Sequence, residues 1–182
     1  MGLSSITNYA GKKWAEKARD VETVIEQHAL AGGALGAGIS WFPLLGTAVA
    51  SASMAAIVWS MYYRINKVCG IKISKAVLRS VAGAVTANII AAAGSYIITV
   101  IASAALSFLP VASFVSAVMM AAANYGVVMI AGNVYAGIIQ KFVDADDDGS
   151  GMTEDELKKS AAEIISDMNI TDELKKNAYL HS

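Results

Sequence analysis

The chain has 182 residues, of which 55% are hydrophobic and 16% charged, with a formal net charge of −1 and a mean hydropathy of +0.51. Soluble domains carry about a quarter charged residues, and disorder requires low hydrophobicity with high charge, so disorder is excluded for most of the length. One cysteine, Cys69, excludes a disulfide framework and a cysteine-rich zinc module, and two histidines, His28 and His181, leave little for histidine-based metal catalysis.

The near-neutral total hides three different materials. Residues 1–28 carry four bases and four acids. Residues 29–143 carry six bases (Arg64, Lys67, Lys72, Lys75, Arg79, Lys141) and no acid, and residues 144–182 carry eleven acids against four bases. Met1–Ala10 has no basic segment leading into an apolar run, so a secretory signal peptide is not expected. The expected routes are multi-pass insertion or export that reads no such peptide.

In chain order, residues 4–28 form the first element. Ile6, Tyr9, Trp14, Val21, Val24, Ile25 and His28 fall near helical spacing, with mixed charge on the other side, which predicts an amphipathic helix covering a core. From Ala29 to Tyr63 there are 35 residues without a charge, and from Ser80 to Gln140 there are 61 more. A helix crosses a bilayer with about 20 apolar residues, so each stretch suffices for a helical hairpin. The breaks fall at Trp41-Phe42-Pro43 and Phe108-Leu109-Pro110, because proline is tolerated in the first turn of a helix and poorly in its interior. Two copies of helix, aromatic–proline tip, helix predict helices near 24–41, 44–66, 75–108 and 111–142.

Small residues recur every four positions along these helices. Gly32, Gly36 and Ser40 form one series, Gly33 and Ala37 a second, and Ala48, Ala52, Ala56 and Ser60 a third. Gly83, Ala87, Ala91 and Ser95 begin a fourth, continued by Thr99, Ser103 and Ser107, and Gly46 is a further small packing residue in the second helix. Residues four apart share a helix face, so each series makes a groove that a neighbouring backbone can approach closely. An alanine-rich soluble bundle is the alternative, but 61 residues without a charge leave no polar face for water. With four spans, all six bases of the middle region lie on one side and the uncharged tips on the other, as the positive-inside rule requires. Trp59, Tyr62 and Tyr63 near the basic end fit interfacial anchoring.

Asn88, Asn124 and Asn133 lie within the apolar stretches, where an amide is costly unless hydrogen-bonded or wetted. They read either as interhelical glue or as the wall of a neutral, wet ion path. After the core, Asp144-Ala145-Asp146-Asp147-Asp148-Gly149-Ser150-Gly151 resembles the start of an EF-hand: Asp144, Asp146 and Asp148 supply carboxylates, Gly149 the turn and Ser150 a carbonyl. Position 12 is Asp155, with Glu156 one place late, so the closing ligand is defective. The loop reads either as a calcium site or as an acidic linker. Thr153-x-x-Glu156 is a capping box opening a helix near 154–168, and a second short helix follows near 172–180. Cys69, between Lys67 and Lys72, is expected to have a somewhat acidified thiol. No G-x-S-x-G, Walker A, G-x-G-x-x-G or H-E-x-x-H pattern occurs, so no enzyme is expected, and no nucleic-acid partner either.

The expected fold is all-α: an amphipathic N-terminal helix (1–28), membrane-inserting helical hairpins of two helix–Pro–helix units (29–143), and an acidic loop with short helices (144–182). The glycine series at Gly32, Gly36 and Ser40, with charge-free hairpins tipped by Pro43 and Pro110, resembles the small glycine-zipper pore-forming toxins that Gram-negative bacteria such as Pseudomonas deliver by type VI secretion. The resemblance spans about residues 25–142. It implies transport in the Hcp tube, insertion into a recipient's inner membrane with an ion leak that collapses the proton-motive force, and a cognate immunity protein in the producer. Because four small-residue helices pack shut, self-oligomers around a neutral, cation-passing path are expected. The same helix–Pro–helix segment also resembles the YcjF-type domain found behind Era-like GTPase domains, which implies a resident module in the producer's own inner membrane. A calcium-responsive soluble helical protein is the third reading.

Overall fold

The structure, a computed structural model, describes residues 11–39, 46–94 and 110–179. All regular structure among these residues is helical. The helices are α1 (Lys12–Ile39), α2 (Gly46–Cys69), α3 (Lys75–Ala93), α4 (Pro110–Ala145), α5 (Glu154–Ser166) and α6 (Ile170–Tyr179). α1 runs along α4 and α2, α3 packs on α2 and α5, and α6 lies on α4.

The charged head and the first apolar segment are not separate helices. α1 passes without a break through residues 28 and 29, where the charge pattern changes. Its buried face holds one period throughout: Trp14, Val21, Val24 and Ile25, then His28 and Ala29, then Gly32, Gly33 and Gly36. The contact side therefore narrows from a tryptophan to glycines along one continuous helix. His28 ties α1 to α2: its Nδ1 lies 2.7 Å from the Val24 carbonyl oxygen and its Nε2 lies 3.4 Å from Ser60 Oγ.

α2 ends in a Schellman motif. Gly70 takes φ +76°, and the Ile71 N–H donates to the Asn66 carbonyl at 2.9 Å. Ser74 caps α3, its Oγ accepting from the Val77 N–H at 3.3 Å. α3 stops at Ala93, where Gly94 adopts φ +47°, rather than running on to residue 108. The remainder of that expected helix, the tip at Trp41–Pro43, and Ser40, Ser95, Thr99, Ser103 and Ser107 lie outside the described residues. Pro110 does stand at the first position of a helix, as its fixed φ and missing N–H favour.

α4 has 36 residues, about 54 Å at 1.5 Å per residue. It too closes in a Schellman motif: Asp146 sits at φ +60°, and the Asp147 N–H donates to the Phe142 carbonyl at 2.9 Å. The predicted capping box opens α5, with the Glu156 N–H donating to Thr153 Oγ1 and the Thr153 N–H donating to Glu156 Oε2. One core joins all six helices, through residues such as Trp14, Ile65, Leu78, Val134, Leu157 and Leu174. Tyr62 and Tyr135 stack within it at 3.9 Å between centroids. Their hydroxyls donate to the Ala131 carbonyl at 3.0 Å and to Asn66 Oδ1 at 2.7 Å. Tyr62 is thus a core residue in this fold and not an interfacial anchor, because its polar tip finds a backbone acceptor inside.

Candidate functional site

Two helices are long and apolar enough to cross a membrane: α3 (Lys75–Ala93) and the Ala117–Ala145 part of α4. Within an apolar 18-residue window of each, 39% and 44% is buried. On these two helices the described solvent-exposed residues are mostly small or polar, Ala87 and Asn88 among them. Val118 on α4 is 42% exposed, and on α1 Leu30 is 62% exposed.

The glycines of α1 lie in close contact with α4. A Cβ placed on Gly36 would lie 2.6 Å from the Met120 carbonyl oxygen and 2.5 Å from Asn124 Nδ2. One on Gly33 would lie 3.3 Å from the Ala121 carbonyl oxygen, and one on Gly32 would lie 2.8 Å from Val128 Cγ2. Glycine at Gly36 lets the backbones approach in a way that no side chain permits, and Gly33 and Gly32 leave room that a side chain would tighten. Ala37 is half-buried beside them. A fourth packing glycine, Gly132, meets Ile25 and Met61 and lies outside the set expected from the sequence. The signal for it is there, since Asn124, Val128 and Gly132 are four apart and share a face of α4.

Other expected positions separate from this seam. A Cβ on Gly83 would have no atom within 4 Å, and Ala87 and Asn88 are exposed, so that face of α3 meets no neighbour among the described residues. Asn133 is half-buried. Asn124 reaches the α1–α4 seam with its Nδ2 shielded from solvent and without a hydrogen-bond partner among the described residues. A donor left that way costs about 1–3 kcal/mol, which the resting fold bears at the α1–α4 seam. Gly46 is the first residue of α2.

The acidic loop is tied to the basic end of the bundle. Asp144 accepts from the Gly11 N–H at 3.0 Å and the Trp14 N–H at 3.2 Å, so its carboxylate caps the start of α1 from the far end of α4. Asp146 pairs with Lys13 at 2.9 Å. Asp148 pairs with Lys72 at 3.0 Å, and its carbonyl accepts from the Lys72 N–H at 2.7 Å. Hydrogen bonds from Ser150, with Lys72 beside them, hold the Asp148 carboxyl down at about 2. Gly149, at φ +70°, is buried against Ile71 and Ile73. The three carboxylates of the EF-hand pattern therefore go to three different partners. Ser150 and Asp155 are exposed, and no cluster of three or more His, Cys, Asp or Glu side chains suited to a metal forms among the described residues.

Between the start of α1, the end of α2 and this loop lies a cavity of about 380 Å³, lined by Lys13, Lys17, Cys69, Asp146, Asp147 and Asp148 among others. Its thiol is not acidified as the flanking lysines suggested. Burial pushes Cys69 up to about 11, outweighing the opposing field of Lys17. Lys67 and Lys75 instead stand over the ring of Tyr63, at 5.8 Å and 5.1 Å from its centroid.

Comparison with protein-family profiles, curated proteins and solved structures returns no match.

Proposed function

We propose that this chain is an antibacterial toxin that inserts into a target cell's inner membrane and forms ion-permeable, cation-passing pores that dissipate the proton-motive force. The observation that carries the reading is the pair of helices, α3 and Ala117–Ala145, that have the length and apolarity of membrane spans. The residues in 29–143 include six bases and no acid, which suits a segment that meets lipid and anionic headgroups.

The described fold is then a resting form. On insertion, the helices exchange internal contacts for lipid and for other copies. Lipid tails provide no hydrophobic drive between helices, so backbone approach at Gly32, Gly33 and Gly36 supplies adhesion. Asn124, whose Nδ2 is buried without a hydrogen-bond partner among the described residues, is the group that gains from a wet path or an interhelical hydrogen bond. The pore wall is neutral, built of amides, hydroxyls and carbonyls, since no carboxylate occurs between residues 29 and 143. Type VI delivery and an immunity partner follow from the resemblance to the glycine-zipper toxins.

The test is growth of bacteria expressing the chain with an added periplasmic signal, against Gly36→Leu at equal expression. The wild-type chain is expected to arrest growth and Gly36→Leu to relieve it. Undiminished arrest by Gly36→Leu would refute the glycine-seam mechanism.

A further inference from the structure

We infer that the faces of α3 and α4 lying under α5 and α6 are this chain's bilayer-contacting surface, with residues 154–179 as its built-in cover and an anionic bilayer as the partner that replaces it. The inference deepens the membrane-inserting reading above and rests on it.

The cover is a single amphipathic face. Leu157, Ala161, Ile165, Ile170 and Leu174 recur every four or five residues along α5 and α6 and are all buried. They join the same core as Leu78, Val81, Val85 and Ile89 of α3 and Val134 and Ile138 of α4. α5 packs on α3 and α4, and α6 packs on α4 and α3. These are the two helices that qualify as membrane spans. The tail thus covers apolar surface on both of them, and it does so with short helices of 13 and 10 residues.

The loop that leads into the tail is held by exposed charges. Lys13–Asp146 and Lys72–Asp148 are exposed ion pairs, which contribute little and are screened by salt. Ser80 Oγ donates to Glu154 Oε1 at 2.6 Å, fixing the start of α5 to α3. The acids of the loop occupy Lys13 and Lys72, and Lys75 and Arg79 follow Lys72 in the first turns of α3. Anionic headgroups offer these bases the same charge that Asp146 and Asp148 offer now, while the acyl chains replace the apolar face of the tail.

The experiment joins the tail to α3. Ser80→Cys and Glu154→Cys are introduced into full-length Cys69→Ser protein and linked by a short, reductively cleavable bismaleimide. Linked and cleaved forms are floated with vesicles containing phosphatidylglycerol or phosphatidylcholine alone, and release of trapped potassium is followed. The expected result is that the linked protein stays in the aqueous fraction while the cleaved protein floats at least five-fold more with the anionic vesicles. Leu174→Asp, which expels the tail face without a linker, is expected to float as the cleaved form does or better.

Equal flotation of linked and cleaved protein would overturn the cover. So would flotation of neither, or self-association of the cleaved protein with no vesicle uptake. Flotation of the cleaved form without potassium release supports the cover and overturns the pore, so the two failures are distinguishable.

Discussion

Replacing Gly36 and Gly83 by alanine, one at a time, should change stability in opposite directions. Both glycines are within helices, where alanine is preferred by about 1 kcal/mol. At Gly83 nothing lies within 4 Å of the added methyl, so the gain appears nearly whole. At Gly36 the methyl would stand 2.6 Å from the Met120 carbonyl oxygen and 2.9 Å from its carbon. Those are backbone atoms of α4 and cannot turn aside, so α1 and α4 must separate. Overpacking of this kind costs about 1–3 kcal/mol, and the backbone collision puts Gly36 in the upper part of that range. The net loss at Gly36 is then about 1–2 kcal/mol. At about 2–4 °C per kcal/mol for a domain of this size, Gly83→Ala should melt about 2–4 °C higher than wild type and Gly36→Ala several degrees lower. Gly32→Ala, which meets the movable Val128 methyl at 2.8 Å and the Asn124 carbonyl oxygen at 3.4 Å, should lie between them. The assay is thermal melting followed by helical circular dichroism. A rise in Tm for Gly36→Ala equal to that for Gly83→Ala would refute the close seam between α1 and α4.

Asp144→Ala should lower stability by about 1 kcal/mol through loss of the α1 cap, and calcium should leave the wild-type Tm unchanged, since Asp144, Asp146 and Asp148 are committed to separate partners; a calcium-dependent rise of several degrees would contradict this. Cys69, with its thiol at about 11, should react with iodoacetamide at pH 8 about a hundredfold more slowly than a free cysteine, and rapidly once the chain is unfolded. His28 is held below 6.5 chiefly by burial, with Arg64 adding to it against the Val24 hydrogen bond. The folded state therefore takes up its proton less readily than the unfolded one. The His28 contribution is complete above pH 6.5 and is lost as pH falls from there through the lower folded value, so the Tm drop between pH 7.5 and 5.5 should shrink in His28→Gln.

The parts of this fold carried by local chemistry were readable in the sequence. Thr153-x-x-Glu156 forms the capping box that its spacing implies, and Pro110 opens a helix. Gly32, Gly33 and Gly36 meet a neighbouring backbone as four-residue spacing suggests. The boundaries were harder. The charge change at residues 28 and 29 leaves the helix intact, because a helix can exchange a bulky buried face for a glycine one without altering its backbone. Gly94 is hidden as a terminator among the many small residues of its segment, where only its positive φ separates it from the rest. The acidic loop was unreadable for a different reason. Asp144 meets Gly11 and Trp14 across 133 and 130 positions of chain, and no local pattern encodes that pairing. Cys69 misleads for the same reason, since its neighbouring lysines are visible in the sequence while its burial is not.

The most direct test of the central claim is membrane potential, read with a voltage-sensitive dye in bacteria making the chain with a periplasmic signal and, separately, in the cytoplasm. A pore-forming toxin depolarises the cells rapidly from the periplasmic form alone. Unchanged potential with both forms, while the protein is recovered in the membrane fraction, would contradict the account.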